Sequence, residues 1–406
     1  MSASEESVPP LLSPAFLRNP YPTYRRHLAG PPVQRLPVRA DTWAVFRYDT
    51  CASILRDPAL SSVRPPQAIV AVPEAERGAY KDFIDHVGRW LLFLDAPQHT
   101  RLRRLMNRGF APLTIEKLRP RVVTAVDRLL GQAESKGDFD LIRDYAYPLP
   151  VRIISDLLGL PEHLYDRCIE LSTEIATWLG NLRRSAEDAR RAQDAAKELV
   201  EYFEAVVRDR QAGHDDLIHL LLEIVESEPG ATMDDLYAQC VLLLVAGHET
   251  TRNLIGNGVY TLLTHSQALN DLRDDMKLIP SAVEEILRFE SPVQAFGRLA
   301  LTEIEIEGTV LPVGSSITLV TGAAQRDPAQ YQAPDSFDIH RKHIRHMAFG
   351  ADAHVCLGAT LARLEGQIAI AALIERFPRI RLVDSTPDWG TNLAFRGLQT
   401  LRLAVS

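Results

Sequence analysis

From His99 to about residue 289, leucine and valine recur at intervals of three and four, with Leu102, Leu105, Leu118, Val122, Val126, Leu129 and Leu130 setting the pattern. That period lays an apolar stripe along one face of successive helices. A stretch this long hides its stripes only by packing helix on helix. Breaks are expected at Gly137-Asp138, Pro161, Gly180-Asn181, Gly213, Pro229-Gly230 and Pro280, and Thr232 followed by Asp234 and Asp235 predicts the start of the long helix that enters CVLLLVAG. After Pro292 the period changes to two: Ile304, Ile306, Val310, Leu311, Ile317 and Leu319, punctuated by Glu307-Gly308 and Gly314, predict a small antiparallel sheet. A further helix is expected over about 357–377, then strands in IRLV (380–383) and QTLRLAV (399–405) around a loop at Asn392–Gly397. The first ninety residues carry Pro9, Pro10, Pro14, Pro20, Pro22, Pro31, Pro32 and Pro37 and a strand-like TWAVFRY (42–48), which reads as loops with a little sheet.

The fold class is therefore mostly α with minor β. Neither a repeat nor a linker divides the chain, so one domain over 1–406 is expected, with β-containing subregions at about 30–60, 300–320 and 380–405 and a helical subregion at about 95–290 plus 357–377. With 45 basic and 53 acidic side chains the formal charge is −8, which argues against a general nucleic-acid binder. No apolar run reaches the ~18–20 residues of a membrane span; the longest, near Cys240–Gly247, is cut by His248, Glu249 and Arg252. The N-terminal MSASEESVPP is acidic where a secretory signal is basic, so the expected location is cytoplasmic. Cys51, Cys168, Cys240 and Cys356 are far apart and form no C-x-x-C pair, unlike a disulfide framework or a zinc ribbon.

Cys356 stands in a glycine-containing loop just before a helix, in Phe349-Gly350-Ala351-Asp352-Ala353-His354-Val355-Cys356-Leu357-Gly358. Backbone N–H groups and the positive helix end are expected to lower its pKa and make it a metal ligand; the alternative is a small packing residue, the reading that Cys168 and Cys240 receive. Ala246-Gly247-His248-Glu249-Thr250-Thr251 breaks helix rules inside an apolar helix, since glycine costs about 1 kcal/mol relative to alanine and a threonine hydroxyl competes for a carbonyl one turn back. A functional groove and a helix-packing notch both explain it. Glu285-Ile286-Leu287-Arg288 has the spacing of an ordinary helix ion pair, contributing about 0.2–0.5 kcal/mol. His99 and Arg103, at i and i+4, share a helix face, and Arg101, Arg104 and Arg108 share another.

Taken together, these segments resemble the cytochrome P450 family. F-G-x-x-x-H-x-C-x-G is similar to its heme-binding loop, with Asp352 where the family has glycine, so a non-glycine residue must make the tight turn. The resemblance extends from Asn19-Pro20-Tyr21-Pro22-x-Tyr24 through the rest of the chain in family order. It implies a soluble, bacterial-type heme-thiolate monooxygenase that inserts one oxygen atom from O2 into an apolar small molecule, by hydroxylation or epoxidation, with heme b lying between the long helix and the cysteine loop. Cys356 is the implied iron ligand, Thr250 and Glu249 the oxygen-activating pair, and His99, Arg103, Arg298 and His354 the propionate ligands. Phe349, Gly350, Gly358, Ala246 and Gly247 complete the heme environment. Glu285, Arg288 and Arg341 form the family's structural pair and its later arginine. Leu92, Phe93, Leu243, Val293, Gln294, Ala295, Phe296, Ala394 and Phe395 are the implied pocket lining, and His248 is a spacer. No GxGxxG flavin or nicotinamide module and no iron-sulfur segment is present, so electrons are expected from a ferredoxin or flavodoxin with its NAD(P)H reductase, docking on the Arg101, Arg104, Arg108 face; a plain solvated face is the alternative. Partners beyond these are not expected: no nucleic acid and no membrane. Two other functions compete, a peroxide-dependent heme-thiolate oxygenase and a non-enzymatic heme-based sensor, and neither needs Thr250 with Glu249.

Overall fold

A computed structural model describes residues 11, 13–36, 41–63, 72, 74–180, 185–210, 217–384 and 386–405. The acidic stretch 1–10 and Pro37, Asn181 and Gly213 lie outside the described residues. The proline-rich N-terminal part is more helical than expected, with helices Pro14–Arg18, Tyr21–Leu28, Tyr48–Arg56 and Lys81–Gly88. Two of its prolines start helices rather than break them. Pro14 and Pro22 sit in a first turn, where the missing N–H has no partner to lose and the fixed φ is already helical, and Ser13 Oγ accepts the Phe16 N–H at 3.1 Å. The helix that cuts TWAVFRY short is capped from far along the chain, by Asp327 Oδ2 accepting the Tyr48 N–H at 2.9 Å.

The helical part is organised around the helix Met233–Thr264. Its start is a capping box: Thr232 Oγ1 accepts the Asp235 N–H, and Asp235 Oδ2 accepts the Thr232 N–H at 2.8 Å. The helix is apolar nearly all round because it is surrounded, packing against helices Pro148–Leu157, Tyr165–Gly180, Ile279–Phe289 and Ala359–Arg376. Within its buried run one residue, Ala246, is exposed. One apolar core fills the space among these helices, and two smaller clusters lie under the sheet and the N-terminal helices.

The strands are β1 (Val33–Arg35), β2 (Thr42–Val45), β3 (Leu60–Ser61), β4 (Phe139–Asp140), β5 (Phe296–Ala300), β6 (Ile304–Ile306), β7 (Thr309–Leu311), β8 (Ser316–Leu319), β9 (Arg381–Leu382), β10 (Asp388–Trp389), β11 (Leu398–Thr400) and β12 (Arg402–Ala404). The expected antiparallel sheet is in part corrected. β6 and β7 form a hairpin on Glu307 and Gly308, both at positive φ (46° and 79°). β8 leaves that hairpin for a five-stranded mixed sheet, β1-β2-β8-β5-β3, pairing parallel with β2 and antiparallel with β5. Alternation shows which residues face inward and says nothing about which strand lies alongside. The two-residue β4, inside the helical stretch, pairs with β12, whose other neighbour is β9.

Candidate functional site

The cysteine loop closes on itself: the Cys356 N–H donates to Phe349 O at 2.8 Å, and Gly350 turns the chain at φ 69°. Asp352, in the glycine position, adopts φ 55°, a left-handed conformation that aspartate tolerates better than most residues, and starts a single 3₁₀ turn to His354. The helix Ala359–Arg376 follows directly after Gly358. Of the four cysteines, all free thiols, Cys356 alone is exposed. The expected low pKa is corrected: burial pushes the Cys356 thiol up, and the Gly358 N–H, Arg103 and Arg363 pull it down by less.

Four basic groups gather beside this loop. Helix Gln98–Gly109 carries His99 and Arg103, strand β5 carries Arg298, and the loop carries His354. The His99 and His354 rings lie 4.1 Å apart, and Arg103 Nη1 donates to Val355 O at 2.6 Å. Burial, then His99 and Arg298, hold His354 down at about 4, and burial and Arg103 lower His99. Arg298 is buried with a hydrogen bond to Gly297 O, and His99 Nε2 is buried without a partner. The carboxylate among them, Asp95, is turned to the Ser61 hydroxyl and the Ser62 N–H. This is a donor set short of anions, and it fits the two carboxylates of heme beside a thiolate ligand.

On the long helix, Thr250 Oγ1 donates to Ala246 O at 3.0 Å, so the hydroxyl sits on the face that Ala246 leaves open. A Cβ on Gly247 would lie 3.0 Å from Ile154, so close packing against helix Pro148–Leu157 favours glycine at this position. Glu249 is held by Arg252 (3.0 Å), which also donates to Leu398 O and lies 4.7 Å from the Tyr147 ring. His248, expected as a spacer, is a buried bridge between Leu244 O (2.8 Å) and Ser172 Oγ (3.3 Å) of helix Tyr165–Gly180, and burial lowers its pKa. Tyr147 and Ser172 carried no sequence signal, since their partners on the long helix are far away in the chain; Arg252 stands three residues from Glu249, a helix-pair spacing the sequence does show.

Glu285 and Arg288 are both buried, which overrides the surface-pair estimate. Two bonds of 2.7 Å join them, and Arg288 donates further to Gln325 O, Pro334 O and Ser336 O. Arg341 reaches Glu285 at 3.2 Å, and the Asp338 N–H donates to it at 3.0 Å. The Arg101, Arg104, Arg108 face is less free than expected: the first two pair with Glu228 (3.2 and 3.7 Å) and the third with Glu223 (3.1 Å).

Of the expected lining residues, Val293 and Phe395 form a β-bridge, Gln294 N–H donates to Ala394 O at 2.8 Å, and Ala295 lies partly buried beside them. Leu92 is exposed, Leu243 is buried, and Phe93 is buried with its ring stacked on Trp90. Two placements are corrected. The Gln294 amide is spent on Tyr24 (3.0 Å) and Ser291 O (2.8 Å), and Phe296 packs with Met347 and Ala351 in the cluster under the sheet.

Comparison with known proteins places these residues in context. The Cytochrome P450 family profile matches residues 151–386. The chain is 38% identical over 403 residues to cytochrome P450 107B1 of Saccharopolyspora erythraea, covering 97% of each. It is 38% identical over 397 residues to cytochrome P450 monooxygenase PikC of Streptomyces venezuelae, covering 95% of this chain and 91% of that one. The crystal structure of P450BioI in complex with acyl carrier protein ligated to hexadec-9Z-enoic acid superposes with a TM-score of 0.90 at 34% identity, covering 97% and 99% of the two chains.

Proposed function

From the premise that this chain belongs to the cytochrome P450 family and is a heme-thiolate monooxygenase with heme b, O2 and separate redox partners, we propose that Cys356 is its iron ligand and that Thr250 and Glu249 manage its protons. The carrying observation is the pairing of an exposed cysteine in a self-closed loop with a cluster of basic groups whose one carboxylate, Asp95, is bonded to two serines, leaving a buried His99 nitrogen without a partner. When bound, heme supplies the iron at which O2 is activated, one oxygen atom entering the substrate and the other leaving as water.

Cys356 would hold the iron through its thiolate and supply it with electron density. Arg103, Arg298, His99 and His354 would hold the two propionates. Thr250 gives its own proton to Ala246 O, so its oxygen lone pairs are left to accept from a water on the open face. Glu249, steadied by Arg252, is the carboxylate that passes protons toward that water. Val293, Ala295, Ala394, Phe395, Leu92 and Leu243 present an apolar lining, and an apolar acyl or polyketide-like substrate suits it. The redox partner is an acidic ferredoxin or flavodoxin with its NAD(P)H reductase, working in the cytoplasm; among the described residues no helix is long and apolar enough to cross a membrane.

Replacing Cys356 by serine tests the ligand. Loss of the red-shifted carbon monoxide band of thiolate-ligated heme is expected, and its retention contradicts the assignment. Thr250→Ala should keep heme and substrate binding while hydrogen peroxide rises and product per reducing equivalent falls. Equal coupling in wild type and variant contradicts the proton role.

A further inference from the structure

A charged cluster that no motif pointed to lies behind the cysteine loop. Glu284, on helix Ile279–Phe289, grips Arg363 of helix Ala359–Arg376 through two bonds, Nε to Oε1 at 2.6 Å and Nη2 to Oε2 at 2.9 Å. His346 Nδ1 accepts the Ala348 N–H at 3.3 Å, which leaves Nε2 as the donor to Glu284 Oε2, 3.0 Å away. Arg363 Cζ stands 4.5 Å from the centroid of the Phe349 ring, and the His346 ring stands 5.6 Å from it. Phe349 O receives the Cys356 N–H. The chain of contacts therefore runs from Glu284 through Arg363 and Phe349 to the residue that carries the sulfur.

Glu284 is ionised in the working pH range. Burial raises the Glu284 carboxyl, but hydrogen bonds from His346 and Arg363 outweigh it and hold it at about 2. Arg363 and Arg103 both stand near enough to Cys356 for their positive charge to favour its thiolate. Arg103 is bonded to Val355 O and Asn107 Oδ1, neither of them an anion, whereas Arg363 is neutralised at close range by Glu284.

We propose that Glu284 and Arg363 are positioning residues that set the reduction potential of the thiolate-bound iron, Arg363 bringing positive charge to the sulfur side and Glu284 limiting how much of it is felt. The proposal rests on Cys356 being the iron ligand. No bond forms or breaks: one electron from the external donor converts ferric to ferrous iron, and positive charge nearby favours the form with one more electron.

The test is a spectroelectrochemical titration of the substrate-free holoenzyme with dithionite and mediator dyes, in Glu284→Gln, Arg363→Gln, Arg363→Lys and the double glutamine variant. Glu284→Gln should raise the ferrous-to-ferric ratio at a fixed ambient potential by about three- to tenfold, tenfold being 59 mV for one electron. Arg363→Gln should lower it by a similar factor, Arg363→Lys should stay near wild type, and the double variant should return toward it. A loop merely loosened by either change would shift both single variants in the same direction. That result, or no shift in either, overturns the proposal. If Glu284→Gln does not yield heme protein, the contrast between Arg363→Gln and Arg363→Lys decides alone. The carbon monoxide band separates the two layers: a thiolate band with unmoved potentials defeats this proposal only, whereas its absence from the wild type defeats the ligand assignment beneath it.

Discussion

Two of the regions in which the molecule buries arginine treat it in opposite ways. Around Glu285, Arg288 and Arg341, the partners are complete: a two-bond carboxylate grip, three carbonyls on Arg288 and a backbone N–H on the acid. Beside the cysteine loop, Arg103, Arg298, His99 and His354 lie together with an orphaned His99 nitrogen, and Asp95 faces two serines. Desolvating a charge costs several kcal/mol unless partners offset it. A region that meets this cost internally is scaffold; a region that does not is shaped for an anion from outside. The contrast separates two sets of residues that composition makes look alike.

The largest break in that contrast comes from Glu285→Ala, which strands a buried guanidinium and should cost about 3–5 kcal/mol. Chemical unfolding of the variant, or failure to recover folded protein, reads it. Converting both Glu285 and Arg288 to leucine should not restore stability, because the carbonyls of Gln325 and Pro334 lose the Arg288 donor.

Glu365 sharpens the contrast as a third solution. It is 2% exposed, Oε2 has no partner, and burial raises its carboxyl to about 8, so the fold keeps it protonated. The folded state then holds a proton that the unfolded state releases. Stability from this group is full below the ordinary carboxylate pKa and declines as pH rises through about 8. Glu365→Gln should flatten that decline and gain on wild type by up to a few kcal/mol, at about 1.4 kcal/mol per pKa unit. Unfolding curves at pH 5 and pH 8.5 that differ equally in both proteins contradict it.

Arg298→Ala should behave unlike the scaffold variants: nearly unchanged stability without heme, with heme affinity weaker by on the order of tenfold, measured by transfer of heme to an acceptor protein. At the small end, Arg108→Ala removes an exposed pair with Glu223 and should move stability by no more than about 0.5 kcal/mol. Reversing Arg104 and Arg108 to glutamate should slow reduction by an acidic ferredoxin at low salt. Unchanged rates would leave those arginines as partners of Glu223 and Glu228 alone.

Much of this was legible in the sequence where the cause is local. The capping box at Thr232, the Thr250 hydroxyl turned onto Ala246 O, the hairpin at Glu307-Gly308 and the left-handed Asp352 all follow from residues within a few positions of one another. Local reading failed where the cause is distant. The cap on Tyr48 is Asp327, β8 takes β2 as its parallel neighbour, the Gln294 amide belongs to Tyr24, and Gly247 packs close to Ile154. The thiol shift at Cys356 was misjudged for a related reason: the N–H donor is visible in the loop sequence, but the burial that outweighs it comes from the assembled fold.

The central claim, that the basic cluster is a receptor for an anion rather than scaffold, is tested most directly by offering the apoprotein heme and heme dimethyl ester and measuring the ratio of their affinities. The account predicts that wild type favours free heme by tenfold or more, and that Arg103→Ala and Arg298→Ala each bring the ratio toward one. Equal affinity for acid and ester in wild type, or a ratio that neither arginine variant changes, would contradict it.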